Sequence, residues 1–201
     1  MQPLFINFSG KKVVIAGGGR IAARKAATLL EEQANITFVA PEFRKEVLEL
    51  AKEKGYSLVK RKAVASDFVD AFLAVLATNS PVVNKSLADS LSRNQLVSVV
   101  NEQTEGNVTF PATIKRGQLQ LAITTNGASP KLTKKLKSGL EEQFDNTWAQ
   151  YTEFLFLSRS ILKKLPISED EKNQRLVKLL DDRFRLDIDA QRKELEELST
   201  L

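Results

Sequence analysis

The sequence predicts an α/β fold built on a parallel sheet, followed by a helical C-terminal part. Three observations carry this reading. Short apolar runs alternate with helix-period patterns up to Phe110, as repeated βαβ units require. Three consecutive glycines, Gly17, Gly18 and Gly19, separate the first apolar run from the first helical pattern. From Trp148 onward the patterns are helical only.

Lys12–Ala16 (KVVIA) reads as the first strand, and Ile21–Glu32 as a helix with Ile21, Ala26, Leu29 and Leu30 on its apolar side. Asn35–Ala40 is a strand that Pro41 ends. Phe43–Lys54 carries Phe43, Val47, Leu50 and Ala51 at one-face spacing, and Gly55 is placed to stop that helix. Tyr56–Arg61 is a short strand. Ala71–Ala77 (AFLAVLA) is apolar throughout, as a strand covered on both faces should be. Ser80 and Pro81 have the residue types of an N-cap and first helical position, for a helix through Arg93, and Leu96–Val100 is the next strand.

After Pro111 the pattern changes. Thr113–Lys115 and Gln118–Thr124 alternate apolar and polar residues around Arg116-Gly117, which suggests a hairpin. Ser129 and Pro130 repeat the cap signal. The helical remainder is broken at Leu165-Pro166-Ile167-Ser168, and Ser168-Glu169-Asp170-Glu171 has a capping-box pattern.

Composition narrows the chemistry. The 201 residues include no cysteine and no histidine. Disulfides, thiolate metal sites, cysteine nucleophiles, Ser-His-Asp catalysis and histidine-ligated zinc are excluded within this chain. We expect no metal site. No apolar run is long enough for a membrane span, and MQPLFINFSGKK lacks the basic and apolar regions of a secretory signal, so a cytoplasmic protein is expected. The formal charge is +5. Such an excess suits an anionic partner, whether nucleic acid, a phosphate-bearing cofactor or a polycarboxylate, and equally a solvated basic surface.

Gly17, Gly19 and Ala22 fit G-x-G-x-x-A, directly after a strand and opening a helix. That context defines the dinucleotide-binding fingerprint. Gly17 allows the tight turn, Gly19 lets backbone approach a pyrophosphate, and Ala22 permits close helix–strand packing. The free N–H groups at the helix start hold the diphosphate. The acidic ribose reader should lie at the end of the second strand. Ala40 and Pro41 occupy that end and Glu42 follows, so Glu42 or backbone N–H groups beyond Pro41 take the ribose. No arginine stands at the strand end for a 2′-phosphate, which favours NAD over NADP.

The stretch VVIAGGGRIAARKAATLLEEQANITFVAPEF, with AVLATNSPVVNKSLA and VSVVNEQTEGNVTFPATIKRGQLQLAITTNGASPKLTKKLK, resembles the precorrin-2 dehydrogenases of sirohaem biosynthesis. That group includes the bifunctional dehydrogenase/ferrochelatase and the N-terminal part of fused sirohaem synthase. The resemblance covers roughly residues 1–145 and turns on the glycine triplet followed, after two residues, by Ala22-Ala23-Arg24-Lys25.

The resemblance implies a Rossmann-type NAD-binding domain over 1–112, a small dimerisation segment over 113–146 and a helical domain over 147–201, in a homodimer. It implies loss of a hydride and a proton from precorrin-2, giving sirohydrochlorin and NADH. Carried over by residue, NAD lies against Gly17, Gly18, Gly19, Arg20 and Ile21, near Pro41 and Glu42, and near Thr78 and Asn79 at the end of the apolar strand.

One departure matters. The family places an aspartate, the leading catalytic candidate, after the strand ending at Val100; here Asn101 stands there, with Glu102 next. An amide is no general base, so either no strong base is needed or Glu102 substitutes. The family's serine in the TTNGASP region matches Thr125, beside Asn126. A tetrapyrrole polycarboxylate would also use the cations Lys115, Arg116, Lys131, Lys134 and Lys135.

Three rival readings remain at this level. A second, metal-inserting activity would have to work without histidine. A non-catalytic NAD- or tetrapyrrole-binding sensor is compatible with Asn101. A nucleic-acid-binding protein would interleave aromatics with its cations, and Thr113–Lys137 contains no aromatic residue.

Overall fold

The computed structural model describes residues 1–100 and 105–200. The described chain forms two compact units, Met1–Phe110 and Pro111–Leu201.

In the first unit, β1 (Lys12–Ala16), β2 (Asn35–Val39), β3 (Ser57–Val59), β4 (Leu73–Leu76) and β5 (Leu96–Val99) form one parallel sheet in the order β3-β2-β1-β4-β5. Alternation along β1 divides the core. Val13 and Ile15 join one apolar cluster with Ala22, Ala26 and Leu29 of α1 (Arg20–Ala27) and Val47 of α2 (Lys45–Lys54). Val14 and Ala16 join the other, with Leu87 of α3 (Pro81–Ser90). Successive strand residues point to opposite faces, so each interior strand must be apolar on both. All four residues of β4 are buried. Helices on both faces make the sheet doubly wound, and its order reverses between β1 and β4. The crevice beyond the strand ends at such a reversal is where ligands bind.

Several expected boundaries shift for local reasons. α1 stops at Ala27 rather than Glu32, because the Thr28 hydroxyl donates to the Lys25 carbonyl at 2.7 Å and the chain turns through Gln33, whose φ is 52°. α2 starts at Lys45 rather than Phe43, because Phe43 and Arg44 dock against the glycine loop instead. α3 ends at Ser90, where the Ser90 hydroxyl donates to the Leu87 carbonyl at 2.6 Å. A 3-10 turn over Ala65–Phe68 carries no sequence signal that we read as helix. Beyond β5, the side chain of Asn107 completes the open edge: its Oδ1 accepts from Val97 N and its Nδ2 donates to Gln95 O, both at 2.7 Å.

In the second unit, β6 (Ala112–Arg116) and β7 (Leu119–Ile123) pair antiparallel around Gly117, whose φ is 57°. α4 (Pro130–Gln143) follows, capped by Ser129, and among the described residues none of α4 is buried. α5 (Thr147–Leu162), α6 (Glu169–Lys178), α7 (Asp182–Leu186) and α8 (Ile188–Ser199) enclose a core of Tyr151, Phe154, Leu162, Leu179, Phe184 and Leu198. The Tyr151 hydroxyl donates to Leu179 O at 2.9 Å, so the buried ring keeps its polar end satisfied. Ser168 caps α6 by accepting from Glu171 N at 3.2 Å, while the Glu171 carboxylate turns to Arg175 at 3.0 Å. No described helix is long and apolar enough to cross a membrane.

Candidate functional site

A cleft of about 1090 Å³ opens at the C-terminal ends of β1, β2 and β4. The structure brings Gly17, Gly18, Gly19, Arg20, Ile21, Pro41, Glu42, Thr78 and Asn79 together along its walls.

The three glycines have three different duties. Gly17 has φ 137°, and a Cβ there would overlap the Ala77 carbonyl oxygen at the end of β4. Gly18 passes so close to the next loop that a Cβ would overlap the Glu42 carbonyl oxygen, and its own carbonyl accepts from Arg44 N at 2.8 Å. A Cβ on Gly19 would meet no atom within 4 Å among the described residues, so this residue faces open cleft. The fingerprint assigns duties to the first and second glycines of the motif; the middle glycine's contact across to β2's end needed the structure.

Gly19 also serves as the N-cap of α1 without supplying a side-chain hydrogen bond. The first N–H groups of α1 therefore stay available to an anion, and its positive dipole end faces the cleft. Ala22 and Ala26 are fully buried, which lets α1 lie close to the sheet. A pyrophosphate fits this arrangement: open space over Gly19, uncapped donors behind it, and Arg20 exposed at the rim.

The β4–α3 turn is built by a residue that sequence reading missed. Buried Asn84 receives both the backbone N–H and the hydroxyl of Thr78 on its Oδ1, and its Nδ2 donates to Thr78 O at 3.3 Å. The available signal was spacing. The Ser80–Pro81 cap puts Asn84 three residues before Leu87, on the face that α3 buries. Two cations were missed as well. Arg44 and Lys62 line the same cleft beside Glu42, although no arginine stands in the strand end itself.

Lys25 lies on the inner side of α1, its Nζ 4.3 Å from the centre of the Phe110 ring. Burial, and secondarily the charge of Arg24, lowers its pKa. Asn101 and Glu102 lie outside the described residues; Val100, just before them, lines the cleft.

The residues expected to meet a substrate lie in the second unit. Lys115 is exposed on β6. The Arg116 guanidinium donates to Phe144 O and Lys115 O, each at 2.9 Å, tying the hairpin to the end of α4. Thr125 hydrogen-bonds Ser129 and Thr133 and so braces the start of α4. Asn126 sits at φ 48° in the turn before it. Lys131, Lys134 and Lys135 are exposed on α4.

Comparison with known proteins agrees with this architecture. Residues 4–112 match an NAD(P)-binding family, 116–143 the sirohaem biosynthesis protein central family, and 148–194 the SirC C-terminal domain. The chain is 38% identical to a precorrin-2 dehydrogenase of Priestia megaterium over 98% of both chains. The chain belongs to the precorrin-2 dehydrogenase family. It is an oxidoreductase of sirohaem biosynthesis with an NAD(P)-binding domain. A precorrin-2 dehydrogenase of Bacillus subtilis (strain 168) is 39% identical over 79% of this chain and 98% of its own. A solved structure titled "SirC, precorrin-2 dehydrogenase" superposes with a TM-score of 0.87 at 35% identity, covering 100% of both chains.

Proposed function

We propose that this chain oxidises precorrin-2 to sirohydrochlorin, with NAD as the hydride acceptor. The observation that carries the reading is the Gly17–Gly18–Gly19 cleft, set within a chain similar from end to end to precorrin-2 dehydrogenases. When bound, NAD supplies the acceptor for the hydride; the substrate also releases one proton.

The chain's own residues bind and orient. The loop over Gly17–Gly19 and the start of α1 hold the pyrophosphate, with Arg20 and Ile21 against it. Glu42 holds the ribose hydroxyls, and Thr78 and Asn79 border the nicotinamide end. Asn101 hydrogen-bonds a pyrrole N–H or a carboxylate arm without taking a proton, and Glu102 stands beside it. Lys115, Arg116, Thr125, Asn126, Lys131, Lys134 and Lys135 receive the carboxylates of the macrocycle. Charge-assisted hydrogen bonds of this kind are about twice as strong as neutral ones.

The unit from Pro111 onward further divides into a dimerisation segment, 113–146, and a helical domain, 147–201. Support for a homodimer comes from α4, where Leu132 and Leu136 are 47% and 44% exposed on one helical stripe. The protein works in the cytoplasm on a soluble substrate. Mixing it anaerobically with precorrin-2, with and without NAD, tests the proposal. Sirohydrochlorin should form only when NAD is present.

A further inference from the structure

We infer that Arg44 and Lys62 form a cationic wall at the adenosine-ribose end of the cleft, so that the site accepts a dinucleotide bearing a 2′-phosphate as well as NAD. This rests on the reading of the cleft as a dinucleotide site. In a doubly wound sheet the ribose hydroxyls lie just beyond the end of the second strand. Here β2 ends at Val39, and the five residues before α2 run from Ala40 to Arg44.

Both cations stand on fixed backbone. Arg44 N donates to Gly18 O at 2.8 Å, which fastens this residue to the glycine loop. Arg44 is the N-cap residue of α2, yet its side chain makes no cap hydrogen bond. Lys62 is held by a clamp of its own. The Arg61 guanidinium donates through Nη1 to Lys62 O at 3.0 Å and to Asp67 Oδ2 at 2.7 Å, and through Nη2 to Asp67 Oδ1. Asp67 Oδ2 also accepts from Val64 N at 2.9 Å. The clamp therefore sets the path of Lys62, Ala63 and Val64, and all three line the cleft.

Among the described residues, neither the Arg44 guanidinium nor the Lys62 ammonium has a hydrogen-bond or ion-pair partner. Among the described residues that line the cleft, the one carboxylate is Glu42. A carboxylate alone suffices to read the 2′- and 3′-hydroxyls of NAD. Two unpaired cations add nothing for a neutral diol, but they complement a phosphate dianion. A guanidinium fork matches phosphate oxygens in pairs, and an ammonium acts as a point charge beside it. Glu42 keeps NAD as a partner; Arg44 and Lys62 extend the range.

Titrating the full chain with NAD and with NADP by calorimetry tests this. The Kd for NADP should fall within about tenfold of that for NAD, and should rise more steeply with salt. The double variant Arg44→Ala/Lys62→Ala should raise the Kd for NADP at least about tenfold more than that for NAD. Competition by 2′,5′-ADP against 5′-ADP repeats the comparison on the unaltered chain and does not depend on a variant folding. A wider gap between NAD and NADP in the unaltered chain, or equal losses for both in the double variant, overturns the inference and leaves the NAD reading standing. Binding of neither dinucleotide overturns the nucleotide reading itself, and this inference with it.

Discussion

Oδ1 of Asn84 accepts two hydrogen bonds from Thr78, one from the backbone N–H at 3.1 Å and one from the hydroxyl at 2.6 Å. Asn84 belongs to α3 and is 3% exposed; Thr78 ends the path of β4 into the cleft. A single buried amide thus fixes the turn on which Thr78 and Asn79 stand. Asn84→Ala leaves the Thr78 N–H without its acceptor. Orphaning a partly buried donor costs about 1–3 kcal/mol. Denaturant unfolding should show a loss of that size, and calorimetry should show weaker NAD binding. Thr78→Ser, which keeps the hydroxyl, should bind NAD more tightly than Thr78→Val.

The glycines separate fold from ligand. Gly17→Ala and Gly18→Ala force a Cβ onto the Ala77 and Glu42 carbonyls, so both should destabilise the first unit. Gly19 faces open cleft, so Gly19→Val should keep the circular dichroism spectrum while abolishing NAD binding. Equal affinity in Gly19→Val and the unaltered chain would remove the pyrophosphate from this loop.

The sequence discloses at residues 12–19 what it hides at residues 61–67. β1 was legible to the residue, because a KVVIA run followed by a glycine triplet has one good reading. The fingerprint glycines were legible for the same reason. The Arg61–Asp67 clamp was not, since it joins two charges six apart in a segment with no periodicity to betray it. Arg44 escaped because β2 ends at Val39 and the docking of residues 43–44 on Gly18 is a tertiary contact. Asn84 was within reach by helical spacing, but its partner Thr78 becomes visible only when β4 and α3 are placed together. Gly106 carries no motif; a Cβ there would lie 2.6 Å from Val97 O, and only the packed edge of β5 reveals that.

Asp67 carries a pH dependence. Its side chain is 10% exposed, and the hydrogen bonds from Arg61, with the one from Val64 N and the charge of Arg61, hold its pKa below the ordinary aspartate value. A group with a lowered folded pKa lends stability above its unfolded pKa of about 3.9. That stability fades as the pH falls through the lowered folded value. Asp67→Asn should therefore reduce stability at neutral pH; the gap to the unaltered chain should begin to narrow near pH of about 3.9 and close only below the lowered folded pKa of Asp67. A constant gap at every pH would show that the clamp does not titrate.

Lys131, Lys134 and Lys135 offer a test of substrate charge. Replacing all three with glutamine should raise KM for precorrin-2 steeply and flatten the salt dependence of kcat/KM. Because α4 buries none of its described residues, thermal stability should hardly move. An unchanged KM would make these lysines a solvated helix face.

Asn101 and Glu102 separate orientation from proton transfer. Glu102→Gln should have little effect. Asn101→Ala should slow single turnover about tenfold or more through a lost hydrogen bond and lost positioning. Asn101→Asp should keep or raise the rate. A dead Glu102→Gln with an active Asn101→Ala would reverse the roles.

The most direct test of the account is to measure sirohydrochlorin and NADH together when the purified chain meets precorrin-2 and NAD without oxygen. The account predicts that both appear at the same rate and in equal amounts, and that neither appears with Gly19→Val. Sirohydrochlorin formed without matching NADH, or a chain that binds NAD and leaves precorrin-2 unchanged, would contradict it.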